Sequence, residues 1–548
     1  RTGRPHVAIL DIRMRDDDDA RDESGLDLAR DPAYKMFPKI MLTGFPSYEY
    51  LRKVFAPPQG DALPPATHFL AKQEGPQAML EAVAEAFDKY VRLNWDLRVR
   101  FASRSNLSFP HLAAVIEPAL DPTLLPDRVG ELEDLMRRLF FEHAQLTLGR
   151  LFWGREGRAC FAAFACTPND TLEQRLVVCG LRERIRAESA RHSDFAPKAG
   201  GGSAFLNYAG RLYSLPEADL EGVQTFQEFY AENSAGQIRE TVKKLAGAVL
   251  PAWYQTGQQS RMDRSLDQIC RERLGLSAGQ LPEKVELQER MERLAEKSAT
   301  LGNTRLALSA TDLRLQFPHG AGARYPNPID LLYETAGERN RWPVICHASP
   351  GDLRSDNVLI DGNGQAWLSD FAQAGVAPVH WDFASLEALV RFDQIRSADL
   401  RRLHEFEGRL HDPRLLSDPL DHQDLEPPFR KAVSIIEDIR RQAASDLGNE
   451  PGPYLILLFY QALRRALDYD PPVRYARGEL AGFLHALLAA SMLCARLQTL
   501  SRDAPAAPST PEARILEIDE ASHQALLGGR PLALSASEFN VLRHLYRN

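Results

Sequence analysis

Gly351-Asp352-Leu353-Arg354-Ser355-Asp356-Asn357-Val358-Leu359-Ile360-Asp361, then Gly362-Asn363-Gly364, then Trp367-Leu368-Ser369-Asp370-Phe371, is the stretch on which the reading of the chain turns. Asp352 and Asn357 stand five apart in a polar segment that runs into the apolar Val358-Leu359-Ile360. The glycine-flanked Asn363 marks a tight turn between two short strands, so the chain doubles back and delivers Asp370 beside the loop. Placed so, Asp352 can orient or deprotonate a hydroxyl, while Asn357 and Asp370 can hold Mg²⁺ beside the phosphates of a nucleotide. A β-hairpin with Asp in its turns is the plainer reading. Against it, spacing, hairpin and the helical run His380-Trp381-Asp382-Phe383-Ala384-Ser385-Leu386-Glu387 all agree.

Outward from this stretch, residues 256–500 read as mostly helical, broken by one strand-rich patch at 343–371, and residues 141–255 as mixed strand and helix. Arg175-Leu176-Val177-Val178-Cys179 is predicted as a strand, with Glu188 on the helix that follows. Gly149, Gly154 and Gly157 precede it at a spacing that suits a loop over a nucleotide, whereas Gly200-Gly201-Gly202 reads as a plain loop. Residues 93–140 read as a connector with one amphipathic helix, on Leu132, Leu135, Met136 and Leu139.

Further out, residues 1–92 alternate strand and helix signals. Val7-Ala8-Ile9-Leu10, Lys39-Ile40-Met41-Leu42 and Phe69-Leu70-Ala71 are short apolar runs suited to a parallel sheet buried on both faces. Met79, Val83, Phe87 and Tyr90 recur at helical spacing and close the unit. The three strands end at Asp11, Thr43 and Lys72. Ligands of an open parallel sheet bind outside the carboxyl ends of its strands. A carboxylate nucleophile, a hydroxyl and an ammonium gathered there can accept a phosphoryl group as an acyl phosphate and bind its oxygens. At the other end, the Pro/Ala-rich segment within 501–513 is a stiff linker. Beyond it, strand-like Ile515-Leu516-Glu517-Ile518, Ala525-Leu526-Leu527 and Pro531-Leu532-Ala533-Leu534 lead to Ser535-Ala536-Ser537-Glu538. That is a capping box for a helix bearing Phe539, Leu542 and Tyr546.

Residues 1–92 resemble a response-regulator receiver domain. The resemblance implies Asp11 as phosphoacceptor, Thr43 and Phe69 as the switch pair, Lys72 as the Lys of the site, and Mg²⁺ held by Asp11 and the backbone carbonyl of Arg13. Ser24-Gly25-Leu26-Asp27-Leu28 is the matching helix start. Arg15 and Gln73 stand where the family has proline, and Asp16-Asp17-Asp18-Asp19 is an acidic insert, read as a solvated charge run. Residues 514–548 resemble the start of an OmpR/PhoB-type winged helix, through Gly529-Arg530-Pro531-Leu532-Ala533-Leu534-Ser535 and Ser537-Glu538-Phe539-Asn540-Val541-Leu542. Residues 141–500 resemble the aminoglycoside phosphotransferase/choline kinase-like family. That resemblance implies ATP and Mg²⁺, Asp352 as base, Asn357 and Asp370 on the metal, and Gly154, Gly157, Glu188 and Asn357 at the nucleotide. The chain departs from the family pattern in two places. His347 is separated from Gly351 by three residues, and the 175–179 strand carries no Lys, Lys198 being the sole lysine in 151–200. Glu188 then lacks its usual partner, and Arg175 is not an equivalent replacement.

The expected architecture is therefore multidomain α/β and α+β: a flavodoxin-like receiver (1–92), a helical connector (93–140), a protein kinase-like two-lobed domain (141–500), a linker (501–513) and the start of a winged helix (514–548). The expected function is a response regulator of a phosphorelay, controlling transcription, with the kinase fold as sensor or scaffold. The alternative is an active ATP-dependent phosphotransferase regulated by the receiver. A sensor histidine kinase and DNA are the implied partners, with a homodimer as a family expectation.

The 548 residues suit several domains, and a net charge of −9 argues against nucleic-acid binding by the chain as a whole, so DNA contact must come from a local basic surface. The six cysteines form no CxxC pair, which points away from a zinc ribbon or disulfide framework and towards a reducing cytoplasm. The apolar stretches near Tyr454–Tyr460 and Ala486–Ala490 are too short to span a bilayer. The chain opens on Arg1 and stops after Tyr546-Arg547-Asn548, which reads as a fragment cut at both ends.

Overall fold

The computed structural model describes residues 6–16, 18–19, 21–31, 37–56, 63–103, 105, 107–155, 157–195, 202–205, 208–213, 220–255, 260–262, 264–277, 279–333, 344–411, 414–468, 477–503, 516–519, 524–527 and 530–531. Near the N-terminus, β1 (Ala8–Asp11), β2 (Lys39–Thr43) and β3 (His68–Ala71) form a parallel sheet in that order, with Asp11 opposite Leu42 and Thr43 opposite Ala71. Parallel pairing needs crossovers. These contain α1 (Ser24–Arg30) and α2 (Tyr48–Val54), and α3 (Gly75–Ala86) follows the last strand. Ile12, Leu26, Ala29, Met41 and Val54 are buried together beneath them.

The middle of the chain is two lobes. The first is a six-stranded sheet in the order β4-β5-β6-β7-β9-β8. Its strands are β4 (Arg98–Phe101), β5 (Gln145–Arg155), β6 (Arg158–Cys166), β7 (Leu172–Leu181), β8 (Gly202–Phe205) and β9 (Tyr208–Tyr213). Only β4 pairs in parallel, with β5. Helices α4 (Phe109–Ile116) and α5 (Leu125–Leu139) cover one face, and α6 (Arg182–Phe195), between β7 and β8, packs on the other. Period-two alternation divides the strands between two cores: Phe161 and Val177 pack with Leu112, Leu132 and Leu135, whereas Cys160 and Val178 pack with Ile185. A strand covered on both faces needs apolar residues at every position, hence the unbroken run 159–163. This changes the reading of residues 93–140. Expected as a connector, they supply β4, α4 and α5 to the core of the lobe, because Leu132, Leu135 and Met136 face the sheet and not solvent.

The second lobe is helical. It comprises α7 (Phe226–Glu232), α8 (Ala235–Lys244), α9 (Leu250–Tyr254), α10 (Leu266–Arg273), α11 (Lys284–Glu296), α12 (Pro328–Tyr333), α13 (Trp381–Ala388), α14 (Leu400–His411), α15 (Pro427–Leu447), α16 (Pro451–Leu467) and α17 (Arg477–Asp503). Capping boxes at Thr225/Glu228, Ser234/Gln237 and Ser265/Gln268 start α7, α8 and α10. Short strands interrupt the helices: β10 (Gln224–Thr225), β11 (Ser260–Met262), β12 (Arg305–Leu308), β13 (Asp312–Gln316), β14 (Ala323–Pro326), β15 (Val344–Ser349), β16 (Val358–Ile360), β17 (Ala366–Leu368) and β18 (Gly375–Pro378). The antiparallel meander β12-β13-β14 corrects the expectation of helix there. Leu306 and Leu308, and Leu313 and Leu315, are buried while the residues between them, Ala307 and Arg314, are not, which is strand periodicity.

The segment Glu479–Leu500 of α17 is long and apolar enough to cross a membrane by length and composition, contrary to the expectation of short apolar runs only, but 83% of its most apolar 18 residues are buried inside the protein. At the far end, β19 (Leu516–Asp519), β20 (Gln524–Leu527) and β21 (Arg530–Pro531) form a small antiparallel sheet. The helix expected from Ser535 to Tyr546 lies outside the described residues, as do Lys198 and Gly200-Gly201.

Candidate functional site

Among the described residues, two places gather chemistry-bearing side chains. The first is the carboxyl edge of the N-terminal parallel sheet. Asp11 ends β1 and Lys72 directly follows β3, and their side chains meet, Nζ to Oδ2 at 2.6 Å. Thr43 ends the strand between them and is buried, its hydroxyl accepting from the Phe45 amide at 3.1 Å. Phe69 lies on β3, half-buried against the core. The Arg13 amide donates to Asp11 Oδ1 at 3.3 Å, and the Gln73 side chain donates to the Gly44 carbonyl at 3.2 Å. Gly25 lets α1 close on this edge: a Cβ there would sit 1.7 Å from the Asp11 carbonyl oxygen. Beside it, the Asp22 carboxylate accepts from the amides of Asp16, Ser24 and Arg15, and these bonds hold its pKa well below the usual carboxylate range.

The second place is the cleft between the two lobes. β15 leads into the loop 350–357, and the β16–β17 hairpin returns to Asp370, as the spacing predicted. Gly351 has φ +94°, and a Cβ there would lie 2.0 Å from the Gln373 carbonyl oxygen, so only glycine fits. Its amide is held by Ser349 Oγ at 3.0 Å, and Ser349 in turn donates to Asp382 on α13 at 2.7 Å. Ser349 thus ties the loop to α13, whereas His347, which departs from the family spacing, sits on β15 stacked on Tyr254 with ring centroids 3.8 Å apart. Asn357 Nδ2 donates to the Asp352 carbonyl at 3.0 Å, which fixes the loop's two ends to each other. Asp370 adopts a left-handed φ of +64°, uncommon outside glycine, which turns its carboxylate into the cleft. Desolvation in the cleft raises the pKa of Asp352, with the Arg354 guanidinium, 3.2 Å away, opposing it.

The residues missed by the sequence reading are the arginines of the β5–β6 hairpin. Arg158 donates to Glu188 at 2.8 Å and to both oxygens of Asp370, at 2.5 and 3.3 Å. Arg155 bonds Asp370 at 3.2 Å, Asp356 at 3.3 Å and the side-chain oxygen of Asn357. Trp153, buried on the same hairpin, donates its indole N–H to Ser369 at 3.1 Å. Glu188 does have a cationic partner, supplied from β6. Arg175, the sequence candidate, pairs instead with Glu173 at 2.6 Å. Burial and the nearby Asp370 raise the Glu188 pKa, with Arg158 opposing them. For Arg158 itself burial works against the charge, but Asp370 and Glu188 outweigh it and its pKa is raised. The hairpin glycines serve packing: a Cβ on Gly154 would meet Val115 of α4 at 1.9 Å, and Gly157 turns at φ +78° against Leu181. Gly149 lies within β5 against Phe164 and Ala162. The signal for the arginines was present, since they flank Gly157 in the loop expected to cover a nucleotide.

This geometry tests the fit of Mg²⁺. Asn357 and Asp370 offer suitable oxygens, but two guanidiniums already stand on them, and among the described residues no three His, Cys, Asp or Glu side chains converge as a metal site. In this arrangement the cleft does not fit the metal.

The central lobes have the parts of a kinase-like fold: a glycine-bearing hairpin, a strand followed by a glutamate-bearing helix, and the Asp352/Asn357 loop with Asp370 beyond it. No curated protein matches the chain. A family model described as Ternary complex associated domain 9 matches residues 280–465, less than half of the chain and mostly in the helical lobe. Among solved structures, a choline kinase from Streptococcus pneumoniae is 11% identical over 60% of this chain and 89% of that one, at a TM-score of 0.27. An ethanolamine kinase from Plasmodium vivax is 10% identical over 76% and 93%, also at 0.27. A macrolide 2′-phosphotransferase from Brachybacterium faecium is 11% identical over 57% and 90%, at 0.22. Scores this low add no weight to the geometry.

Proposed function

We propose that the chain is a phosphoryl-accepting regulator. Its N-terminal unit takes a phosphoryl group on Asp11 from a sensor histidine kinase, its kinase-like lobes act as a sensor or scaffold, and its C-terminal segment belongs to a DNA-binding output that controls transcription. The observation that carries this reading is the 2.6 Å contact of Lys72 with Asp11 on the same sheet edge as Thr43. In the transfer, an Asp11 oxygen attacks phosphorus, the donor P–N bond breaks, the histidine leaves with the electron pair, and an acyl phosphate forms. Lys72, already ion-paired to Asp11, is in place to bind the incoming phosphoryl oxygens, and the Thr43 hydroxyl can donate to another. The receiver resemblance implies Mg²⁺ at Asp11 and the Arg13 carbonyl, where it would neutralise charge on the phosphoryl group; in this arrangement Lys72 stands on the Asp11 carboxylate and, among the described residues, no three metal-ligating side chains converge there.

The test is phosphorylation of the full chain by acetyl phosphate with Mg²⁺, read by intact mass and by sensitivity to hydroxylamine. One phosphoryl group, absent in Asp11→Asn and reduced in Lys72→Ala, is expected. Equal incorporation in Asp11→Asn would defeat the reading.

The alternative, an ATP-dependent phosphotransferase under control of the N-terminal unit, is favoured by the placement of Asp352, Asn357 and Asp370. Arg155 and Arg158 count against it. ATP turnover lost on Asp352→Ala would establish it.

A further inference from the structure

The interlobe cleft is 570 Å³, within the range of small-molecule sites. Among the described residues that line it, eight are arginines, none is lysine, and four are carboxylates. Glu188, Asp356 and Asp393 behind the lining pair with Arg158, Arg155 and Arg465, so the positive charge left to attract an anion lies on the outer wall, at Arg191 and Arg273, which bond backbone carbonyls. The arginines are also fixed in position. Arg273 donates to the carbonyls of Val376 and Gln373 at 2.7 and 3.0 Å and lies 4.9 Å from the Trp381 ring centroid. Arg191 donates to the Ala372 carbonyl, and Arg464 to the Leu274 carbonyl at 2.9 Å. A guanidinium has five N–H donors in a rigid fork, so one or two backbone bonds orient it and leave donors for phosphate oxygens. At the back of the cleft Arg155 and Arg158 neutralise Asp370, whose charge would otherwise repel an anion.

We propose that this cleft binds a small polyanion bearing several linked phosphates without a divalent cation, Arg191 and Arg273 meeting its oxygens while Arg155 and Arg158 neutralise the carboxylates at the back of the cleft, where a phosphotransferase would place Mg²⁺. The inference rests on the sensor reading of the central lobes and names the ligand class sensed. Inorganic tripolyphosphate and a nucleoside triphosphate share this chemistry.

The experiment is calorimetric titration of the full chain with tripolyphosphate in EDTA, at physiological salt, repeated with ATP in EDTA. Saturable binding at one site is expected, not strengthened by Mg²⁺. Arg155→Gln should weaken it about tenfold or more, and so should Arg191→Gln at the outer wall, with melting curves checking that both variants fold. Tighter binding of ATP than of tripolyphosphate identifies a nucleotide as the ligand, and equal binding identifies the phosphate chain. No binding in EDTA, binding only with Mg²⁺, or affinity unchanged in both variants overturns the proposal. Asp11 phosphorylation, measured separately on the same protein, tells the two readings apart. Its absence with tripolyphosphate bound defeats the regulator alone, and its presence with no polyanion bound defeats this inference alone. Turnover of Mg·ATP defeats the sensor reading on which the inference rests.

Discussion

Replacing Arg158 by Met removes the cation shared by Glu188 and Asp370, keeps most of the side-chain volume, and leaves two carboxylates facing each other in the interior. All three side chains are nearly inaccessible: 5% exposed for Arg158, 2% for Glu188 and 5% for Asp370. Removing one partner of a buried ion pair costs about 3–5 kcal/mol, because an uncompensated charge remains. For a unit of this size that is a fall in melting temperature on the order of 10 °C. The loss should depend on pH. The Glu188 pKa is already raised by burial and by Asp370. A carboxyl whose folded pKa lies above its unfolded value binds more protons in the folded state, so it costs stability as pH rises from the unfolded value through the folded one. Without Arg158 the folded value climbs further, the window widens upward, and the variant should recover stability on acidification below neutrality. Thermal melts of the full chain from pH 5 to 8, following the transition of the central lobes, measure this. The double variant Arg158→Met/Glu188→Gln should regain at least 1 kcal/mol over Arg158→Met alone, as coupling between contacting residues requires. A loss under about 1 kcal/mol at pH 7, or no recovery in the double variant, would refute the claim that these groups act as one buried charge cluster.

Gly351→Ala should destabilise the helical lobe by about 2–4 kcal/mol, since a left-handed backbone and a clash with the Gln373 carbonyl both oppose a Cβ; denaturant melts would show it. Gly154→Ala should cost about 1–3 kcal/mol through displacement of Val115 and α4, and should do so equally with and without nucleotide, since the glycine serves packing. Trp153→Phe removes the indole bond to Ser369 and should cost about 1 kcal/mol, with a change in the intrinsic fluorescence of the cleft. Burial lowers the pKa of His192 to about 4 and of His347 to about 4. Their folded values lie below the unfolded one, so the unfolded state takes up protons first and stability falls as pH drops from about 6.5 to 4, by on the order of 1–3 kcal/mol per residue. His192→Gln should flatten that part of the acid melt, whereas an unchanged profile would exclude His192.

The N-terminal sheet edge was legible because its chemistry lies at strand ends. A polar residue closing each of three apolar runs identifies Asp11, Thr43 and Lys72, since parallel strands present their carboxyl ends on one side. The Asp352, Asn357 and Asp370 constellation was legible because a short hairpin fixes how far apart in space its members lie. The meander of residues 305–326 is legible as well, in the alternation of its leucines, but the helical periodicity on either side of it outweighs that signal. For residues 93–140, an amphipathic helix shows that the segment buries a face, not which sheet that face meets.

Most turns, and the residues that local geometry brings together, are readable from the chain alone, because hydrophobic period and turn chemistry act over a few residues. The tertiary structure alone decided that Glu188 is partnered by Arg158 and not by Arg175, and that Arg155 and Arg158 stand on Asn357 and Asp370. Those pairs join residues about two hundred positions apart or lie across adjacent strands and a helix. An arginine beside a glycine in a hairpin looks the same in the sequence whether it faces water or closes over a buried carboxylate. Only the packing of one lobe on the other removes the water and makes that pairing the stable arrangement.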